Sequence, residues 1–533
     1  MLCVLTLFTG CKEIFGNLDL NGGAAVDPYL QLGSPSASIG VGQTYQIKAT
    51  TISDATITYS SNNPSVATVD ATGKVTGVNL GETSIIVRVA ESTNYKAGVA
   101  EFKVKVGLVS LEEASAIIGY GKDYTIKAKT AATGATLTFE SKNTAVATVD
   151  ATGKVTAVSC GDAIIVVTST ATDTYPAETA DFTANVRVQD YDQLKSAIEN
   201  ASTSEKTTIK LDGSSTISAT NHIDMKGKEI ALEGNGATIV TEYSLIISKS
   251  FTLENAKFDL TSATNNRQFI QIDASEETKV NQDVYADAKT KDVKLIDYIT
   301  IKDVWVKNLK NALIDPMQKS TLALSNLTIE NCIIQLDHNN TKSLIDFSRV
   351  TKDSNKGAIK NVIIKDNTIY NLQEASAYFI RFANASESLK LFGNKDNGTS
   401  SLNHQFLNNT IYNVFPNQNF GNNTPNDAVF AITMTGNIFG QVKYIQKYVQ
   451  DNQAPVLTIS DNYIFGSAKQ SNDYTERSKT VGDVTYKWTI ATKLDDAPFT
   501  VPTVALDLTK ENGGLNLKPS GAAAAAGDPR WLK

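Results

Sequence analysis

The sequence predicts an all-β protein: two tandem β-sandwiches followed by a long parallel solenoid entered through one helix. Three observations lead there. The string VATVDATGKVT occurs twice, at Val66 to Thr76 and at Val146 to Thr156, an offset of 80 residues. An apolar residue, an amide-bearing turn and a further apolar strand recur five times in the C-terminal half. Composition adds that only 20% of residues are charged, while Val, Ile, Thr, Asn and Gly occur throughout, which excludes a charged disordered chain and a coiled coil. At 533 residues the length suggests roughly three or four domains. A net charge of −7 without basic runs argues against nucleic acid as a partner. With three His there is no HExxH, and neither GxSxG nor a Walker loop is present, so composition favours binding over motif-borne catalysis.

The first element is Met1 to Cys11, MLCVLTLFTGC, too short to span a bilayer, which takes about 20 apolar residues. It resembles the end of a bacterial lipoprotein signal, with Phe8-Thr9-Gly10 leading to Cys11. That resemblance implies lipidation at Cys11, a tether over 12–26, and a lipid anchor in the outer membrane. Lys12-Glu13 resembles the short charged signal that exports Bacteroidetes lipoproteins to the cell surface. The other reading of the run is a buried apolar strand. Cys160 and Cys332 fall in different predicted domains and read as buried thiols without a shared disulfide.

Around each copy of the repeated string lie the same events. Upstream of it lie one strand (GQTYQIKAT, GKDYTIKAK) and then an aromatic strand (ITYSSNN, LTFESKN), and after it Gly81 or Gly161 opens an aliphatic strand. Short alternating strands with turn residues at about ten-residue spacing indicate a β-sandwich. The VATVD-x-x-GKVT signature resembles the group 2 bacterial immunoglobulin-like domain, placed here at 27–106 and 107–188. Such tandem domains act mostly as spacers.

After Val188 the texture changes. In Asp190 to Ala201 the apolar residues Tyr191, Leu194, Ile198 and Ala201 fall at helical spacing, and strands follow. This resembles the N-terminal cap and first coils of a right-handed parallel β-helix of the pectate-lyase type, placed at 189–515. The recurring turns put Cys332, Asn367, Asn409, Asn437 and Asn462 at one position, with spacings of 35, 42, 28 and 25, and Val304 is an earlier member. Rungs about 4.8 Å apart let stacked amides hydrogen-bond one another, so these Asn read as a structural ladder.

Alternation also nominates an outward column. Ile272-Asp273, Ile314-Asp315, Ile345-Asp346 and Ile380-Arg381 recur at equivalent places; if each Ile faces the core, the next residue faces solvent. Asp273, Asp315, Asp346 and Arg381 then share a groove, with Arg349 and Tyr378 nearby. Three readings stay open: a solvated face with an Asp346/Arg381 ion pair; a sugar-binding strip using all six residues; or a lyase centre in which Asp315 and Asp346 hold Ca²⁺ and Arg381 abstracts a proton. No stretch matches a lyase catalytic motif residue for residue, so no catalytic residue is assigned, and binding without a cofactor is the leading expectation.

The chain closes with 516–533, an alanine run and then Gly527-Asp528-Pro529-Arg530-Trp531, expected to pack on the last rung with Trp531 as its anchor. Taken together, the chain resembles Bacteroidetes surface lipoproteins that join immunoglobulin-like spacers to a pectate-lyase-like β-helix of unknown function ending in GDPRW. The resemblance implies capture of a polysaccharide, with pectic chains among those expected, beside outer-membrane glycan transport machinery. An adhesin or structural stalk is the further alternative.

Overall fold

The computed structural model describes residues 27–533 except 94, 262–267, 274–292, 317–320, 338–339, 341–342, 348–357, 373–378, 383–401, 415–420, 423–429, 441, 443–444, 446–455, 467–475, 482–483, 500–504 and 533. It forms two compact units, one holding both sandwiches and one beginning at Val186.

In the first sandwich a four-stranded sheet runs Ser36–Gly40, Gly98–Gly107, Gly81–Val89, Ile57–Ser61, facing a three-stranded sheet of Thr44–Gln46, Lys74–Gly77 and Ala67–Val69. The second repeats this order with Ser115–Gly119, Glu178–Arg187, Gly161–Ser169 and Leu137–Ser141 over Asp123–Thr125, Lys154–Ala157 and Ala147–Val149. Alternation buries Ile85, Val87, Phe102 and Val104, and Tyr45 stacks on Phe102 at 5.4 Å. Tyr124 stacks on Phe182 at the same distance. The repeated string is a hairpin whose turn explains its near-verbatim repetition. Asp70 Oδ1 accepts from the backbone N–H groups of Thr72 and Lys74 at 2.8 and 3.0 Å, and Asp150 does the same with Thr152 and Lys154. Gly73 and Gly153 both sit at φ +83° under the rings of Tyr59 and Phe139, where a Cβ would lie 2.7 and 2.8 Å from a ring carbon.

The second unit opens with helix α1, Tyr191–Asn200, capped by Asp190, whose side chain accepts from Gln193 N. Leu194, Ala197 and Ile198 are buried beneath it. At its other end the buried Lys228 ammonium donates to the carbonyls of Ile198 and Glu199, a cation placed at the negative end of the helix dipole.

Beyond α1 the chain winds as a parallel β-helix with three faces. Among the described residues, face 1 has nine strands, from Thr207–Lys210 to Val456–Ser460; face 2 has ten, from Thr216–Ala219 to Thr492–Lys493; face 3 has seven, from Ile223–Asp224 to Gly421–Asn422. Every pairing within these faces is parallel, and the core is the solenoid interior itself. From Glu254 onward, the corner between faces 1 and 2 has two residues in all seven coils, as in Asp366-Asn367 between Lys365 and Thr368. The first corner residue is left-handed each time: Asn255, Asp303, Asn331, Asp366, Asn408, Gly436 and Asp461, with φ from 49° to 68°. Asn, Asp and Gly are the residues that tolerate this conformation.

The second corner residue forms the expected ladder. Asn367, Asn409, Asn437 and Asn462 are buried. Asn409 Oδ1 accepts from both the backbone and side-chain nitrogens of Asn367, at 3.2 and 3.0 Å, while its own Nδ2 donates to Ile364 O at 2.7 Å and to Asn437 Oδ1 at 2.9 Å. Cys332 ends the run: its N–H donates to Asn367 Oδ1 and its thiol reaches the carbonyl of Ile301 at 3.6 Å. Burial pushes that thiol up to about 12, so it stays protonated.

One expectation is corrected here. The C-terminal segment does not close the last rung; it lies along the outside of face 2 across several rungs. Leu506, Leu508, Leu515, Leu517, Ala523, Ala526 and Trp531 pack on Ile333, Tyr370, Ile438 and Phe465. The anchoring role of Trp531 stands, since its indole N–H donates to Thr368 Oγ1 at 2.7 Å. Asp528 accepts from the same hydroxyl, and its N–H donates to Thr410 Oγ1. Sequence reasoning missed this because the outward positions of face 2 read as solvent-facing when only the strands themselves are considered.

Under this cover Gly440 has a steric role. The rings of Tyr412 and Phe465, one rung to either side, stack at 6.0 Å across the space a side chain would fill. A Cβ at Gly440 would lie on Phe465 Cζ and 2.6 Å from Tyr412 Cδ2. Gly440→Ala is expected to destabilise the solenoid by about 1–3 kcal/mol, the usual cost of overpacking, measured as a lowered denaturation midpoint.

Two buried groups give opposite pH dependences. His404, in the interior row between Val362 and Ile432, donates to Ile359 O, and burial pushes its pKa down to about 4. The unfolded chain binds that proton near 6.5, so stability is lost as pH falls from 6.5 towards 4. Burial pushes Asp528 up to about 6, so its contribution runs the other way and stability falls as pH rises from about 4 to 6. Each is worth at most about 3 kcal/mol. Denaturation midpoints across pH 4–7 should therefore slope more steeply upward in Asp528→Asn, and more steeply downward in His404→Leu, than in the unmodified chain.

Candidate functional site

Face 3 carries the column nominated from the sequence, with a different membership. Ile270 pairs with Ile314, Gln271 with Asp315, and Ile272 with Pro316. Asp273 is therefore two positions out of the row, and Gln271 takes its place. Ile314 pairs with Ile345, so Asp315 and Asp346 follow in one row; Asp346 pairs with Arg381, and Arg381 with Asn422. The row reads Gln271, Asp315, Asp346, Arg381, Asn422. The error at Asp273 arose because Ile270-Gln271-Ile272 offers two Ile, and alternation alone does not say which one matches Ile314. Asn422 was missed because a two-residue strand, Gly421–Asn422, leaves no periodic signal.

The expectation of an open groove is corrected as well. Asp315 and Asp346 are 1% and 2% exposed, so neither lines a solvated surface. Asp273 is half-buried, its N–H donating to Ile247 O. Arg349 and Tyr378 lie outside the described residues, as do Cys11 and the tether, and of Arg381 only the strand position is described.

Gln268, which enters the row from the preceding rung, donates through Nε2 to Asp315 Oδ2 at 3.2 Å. The corner between faces 2 and 3 is polar too. Buried Asn340 donates to the carbonyls of Leu309 and Asn311, and Asn371 to that of Asp337, which satisfies backbone acceptors where the chain turns. Neighbouring strands lie about 4.8 Å apart, so the row sets Asp315 and Asp346 on adjacent rungs, followed by the strand positions of Arg381 and Asn422. Calcium takes six to eight oxygen ligands. Among the described residues no group of three or more His, Cys, Asp and Glu side chains is placed to hold a metal ion.

Residues 30–99 match the model of the bacterial Ig-like domain (group 2), and residues 122–172 match that of the intimin immunoglobulin-like domain. The two sandwiches are Ig-like domains. No curated protein matches the chain. Among solved structures, Drosophila N-cadherin EC1-3 is 16% identical over 30% of this chain and 68% of that one, with a TM-score of 0.20. Domains 4 and 5 of the S-layer protein SbsC are 16% identical over 31% and 99%, TM-score 0.13, and the fibronectin(III)-like modules of Clostridium thermocellum CbhA are 17% identical over 30% and 93%, TM-score 0.12. These scores are too low for any inference about the Ig-like pair beyond the family matches. Among the described residues no helix is long and apolar enough to cross a membrane.

Proposed function

We propose that the chain is a surface lipoprotein of the outer membrane, anchored through Cys11, whose Ig-like domains space a glycan-binding β-helix from the membrane. Its ligand is a polysaccharide, with pectic chains the first candidates, delivered to transport machinery. The observation that supports the reading is the row Gln271, Asp315, Asp346, Arg381 and Asn422 on face 3, five positions of hydrogen-bonding residue type set in single file by strand register, of which the buried Asp315 and Asp346 meet a glycan only once their cover is displaced. A rigid sheet spaces such groups at a fixed repeat, which suits a linear polymer of hydroxyl- and carboxylate-bearing units.

A glycan array probed with the full chain should give polysaccharide hits, weakened roughly tenfold or more in Asp315→Asn, Asp346→Asn and Arg381→Ala. Far-ultraviolet circular dichroism would confirm that each variant is folded. An array without hits, while attachment to cells or matrix persists, would sink glycan capture and favour an adhesin or stalk, the reading to which the intimin-type match lends weight. Steady release of an unsaturated product from polygalacturonate with Ca²⁺, absent in Arg381→Ala, would replace capture by lyase cleavage.

A further inference from the structure

Face 2 and the C-terminal segment relate to each other as a groove and a peptide. The outward row Ile333, Thr368, Thr410, Ile438 and Tyr463 and the parallel row Gln335, Tyr370, Tyr412, Gly440 and Phe465 form an apolar strip with isolated polar points. Ile333, Tyr370 and Ile438 are fully buried, which on the outside of a solenoid requires a second layer. That layer is formed by Phe499 and by residues between Leu506 and Trp531.

Three features make the layer an adjunct to the solenoid. First, none of the strands in the three faces comes from residues 505–532, so the hydrogen-bonded ladders are complete without the segment. Second, the segment's own regular structure amounts to three short 3-10 turns, Glu511–Gly514, Gly521–Ala523 and Pro529–Trp531. Third, its polar contacts to the solenoid are discrete and fall at successive rungs. Leu506 N–H donates to Gln335 Oε1 at 2.8 Å, Gly527 N–H to Gly436 O at 2.6 Å, Asp528 N–H to Thr410 Oγ1 at 3.0 Å, and Trp531 Nε1–H to Thr368 Oγ1 at 2.7 Å. Arg530 reaches Asn331 Oδ1 at 2.6 Å on the corner of the next rung. Apolar anchors in pockets with a few oriented hydrogen bonds are how an extended peptide is bound.

We propose that the outer side of face 2, from the Ile333 rung to the Tyr463 rung, is a peptide-binding surface whose occupant is the chain's own residues 505–532. The occupant detaches and rebinds as a unit while the solenoid stays folded, and it can be taken up from a second copy of the chain. The proposal is independent of the ligand of face 3.

Two measurements on the full chain test it. In hydrogen exchange of the unmodified protein, backbone amides of 505–532 should open together and at least tenfold more often than the ladder amides of Ile364 to Asn409. Exchange of both sets in step, through global unfolding alone, would overturn the proposal. In the second, a protease recognition sequence replaces residues 501–504, the folded protein is cleaved, and a fluorescent peptide of residues 505–533 is added. The cleaved segment should co-elute with the solenoid and be displaced saturably by the labelled peptide, with Trp531→Ala and Asp528→Ala peptides at least 100-fold weaker. Loss of the cleaved segment without uptake of labelled peptide, or equal competition by a scrambled peptide, would refute it.

Discussion

Asn409→Leu is expected to unfold the solenoid or lower its stability by several kcal/mol, the largest effect of any single substitution proposed for this chain. The side chain occupies the middle of the ladder and serves four hydrogen bonds, two accepted from Asn367 and two donated, to Ile364 O and Asn437 Oδ1. Leucine fills much the same volume but strips the buried Asn367 backbone N–H of its acceptor and removes one partner each from Asn367 Nδ2, Ile364 O and Asn437 Oδ1, of which Nδ2 keeps Ile329 O and Oδ1 keeps the Asn409 N–H; a buried group left unpaired costs about 1–3 kcal/mol. The loss would appear in thermal denaturation followed by far-ultraviolet circular dichroism. Cys332→Asn is the counterpart. The thiol already points at Ile301 O, the carbonyl equivalent to those that the ladder amides use, and an Asn there would also present an acceptor to the Val304 N–H. Extending the ladder by one rung should raise stability by about 1 kcal/mol. A fall in midpoint would show that the site is shaped for the smaller side chain.

Trp531→Ala is expected to cost about 3–5 kcal/mol of the attachment of the C-terminal segment, the usual range for truncating a buried Trp. It removes a side chain that is 4% exposed, together with the hydrogen bond to Thr368. Because Thr368 Oγ1 also donates to Asp528 Oδ2, the substitution loosens the hold on a buried carboxylate as well. The readout is binding of a dye that senses exposed apolar surface, which should rise as Tyr370, Ile438 and Phe465 are uncovered while the strand signal in circular dichroism persists. No rise in dye binding would mean that the remaining anchors, Leu506, Leu515 and Leu517 among them, hold the layer unaided.

Much of this architecture was legible because it is periodic. The repeat at 80 residues marked both Ig-like domains, and the stacked amides marked the rungs even though their spacings run from 25 to 42. The left-handed residue before each ladder position was also in view, since Asn, Asp or Gly stands there in every coil from Asn255 on, and the pattern identified by its second member could have been read from its first. What was not legible is non-periodic. Strand alternation ranks faces but not neighbours, so Asp273 was taken for the partner of Asp315 where Gln271 is. Nor does a strand reveal what covers it. The burial of Asp315 and Asp346, and the landing of Leu506 and Trp531 on residues 171 and 163 positions earlier in the chain, depend on contacts that local sequence does not encode.

The two-residue corner has a practical use in finding relatives. Of the three bends in each coil from Glu254 onward, this one keeps its length, so changes in spacing are absorbed by the other two. Lineages that recut those variable bends for new ligands would lose overall similarity quickly while keeping an Asn, Asp or Gly at each constant bend, followed in four of the seven coils by a buried Asn. A search keyed to that dyad, tolerant of any gap between its occurrences, should therefore recover kin that whole-chain comparison passes over.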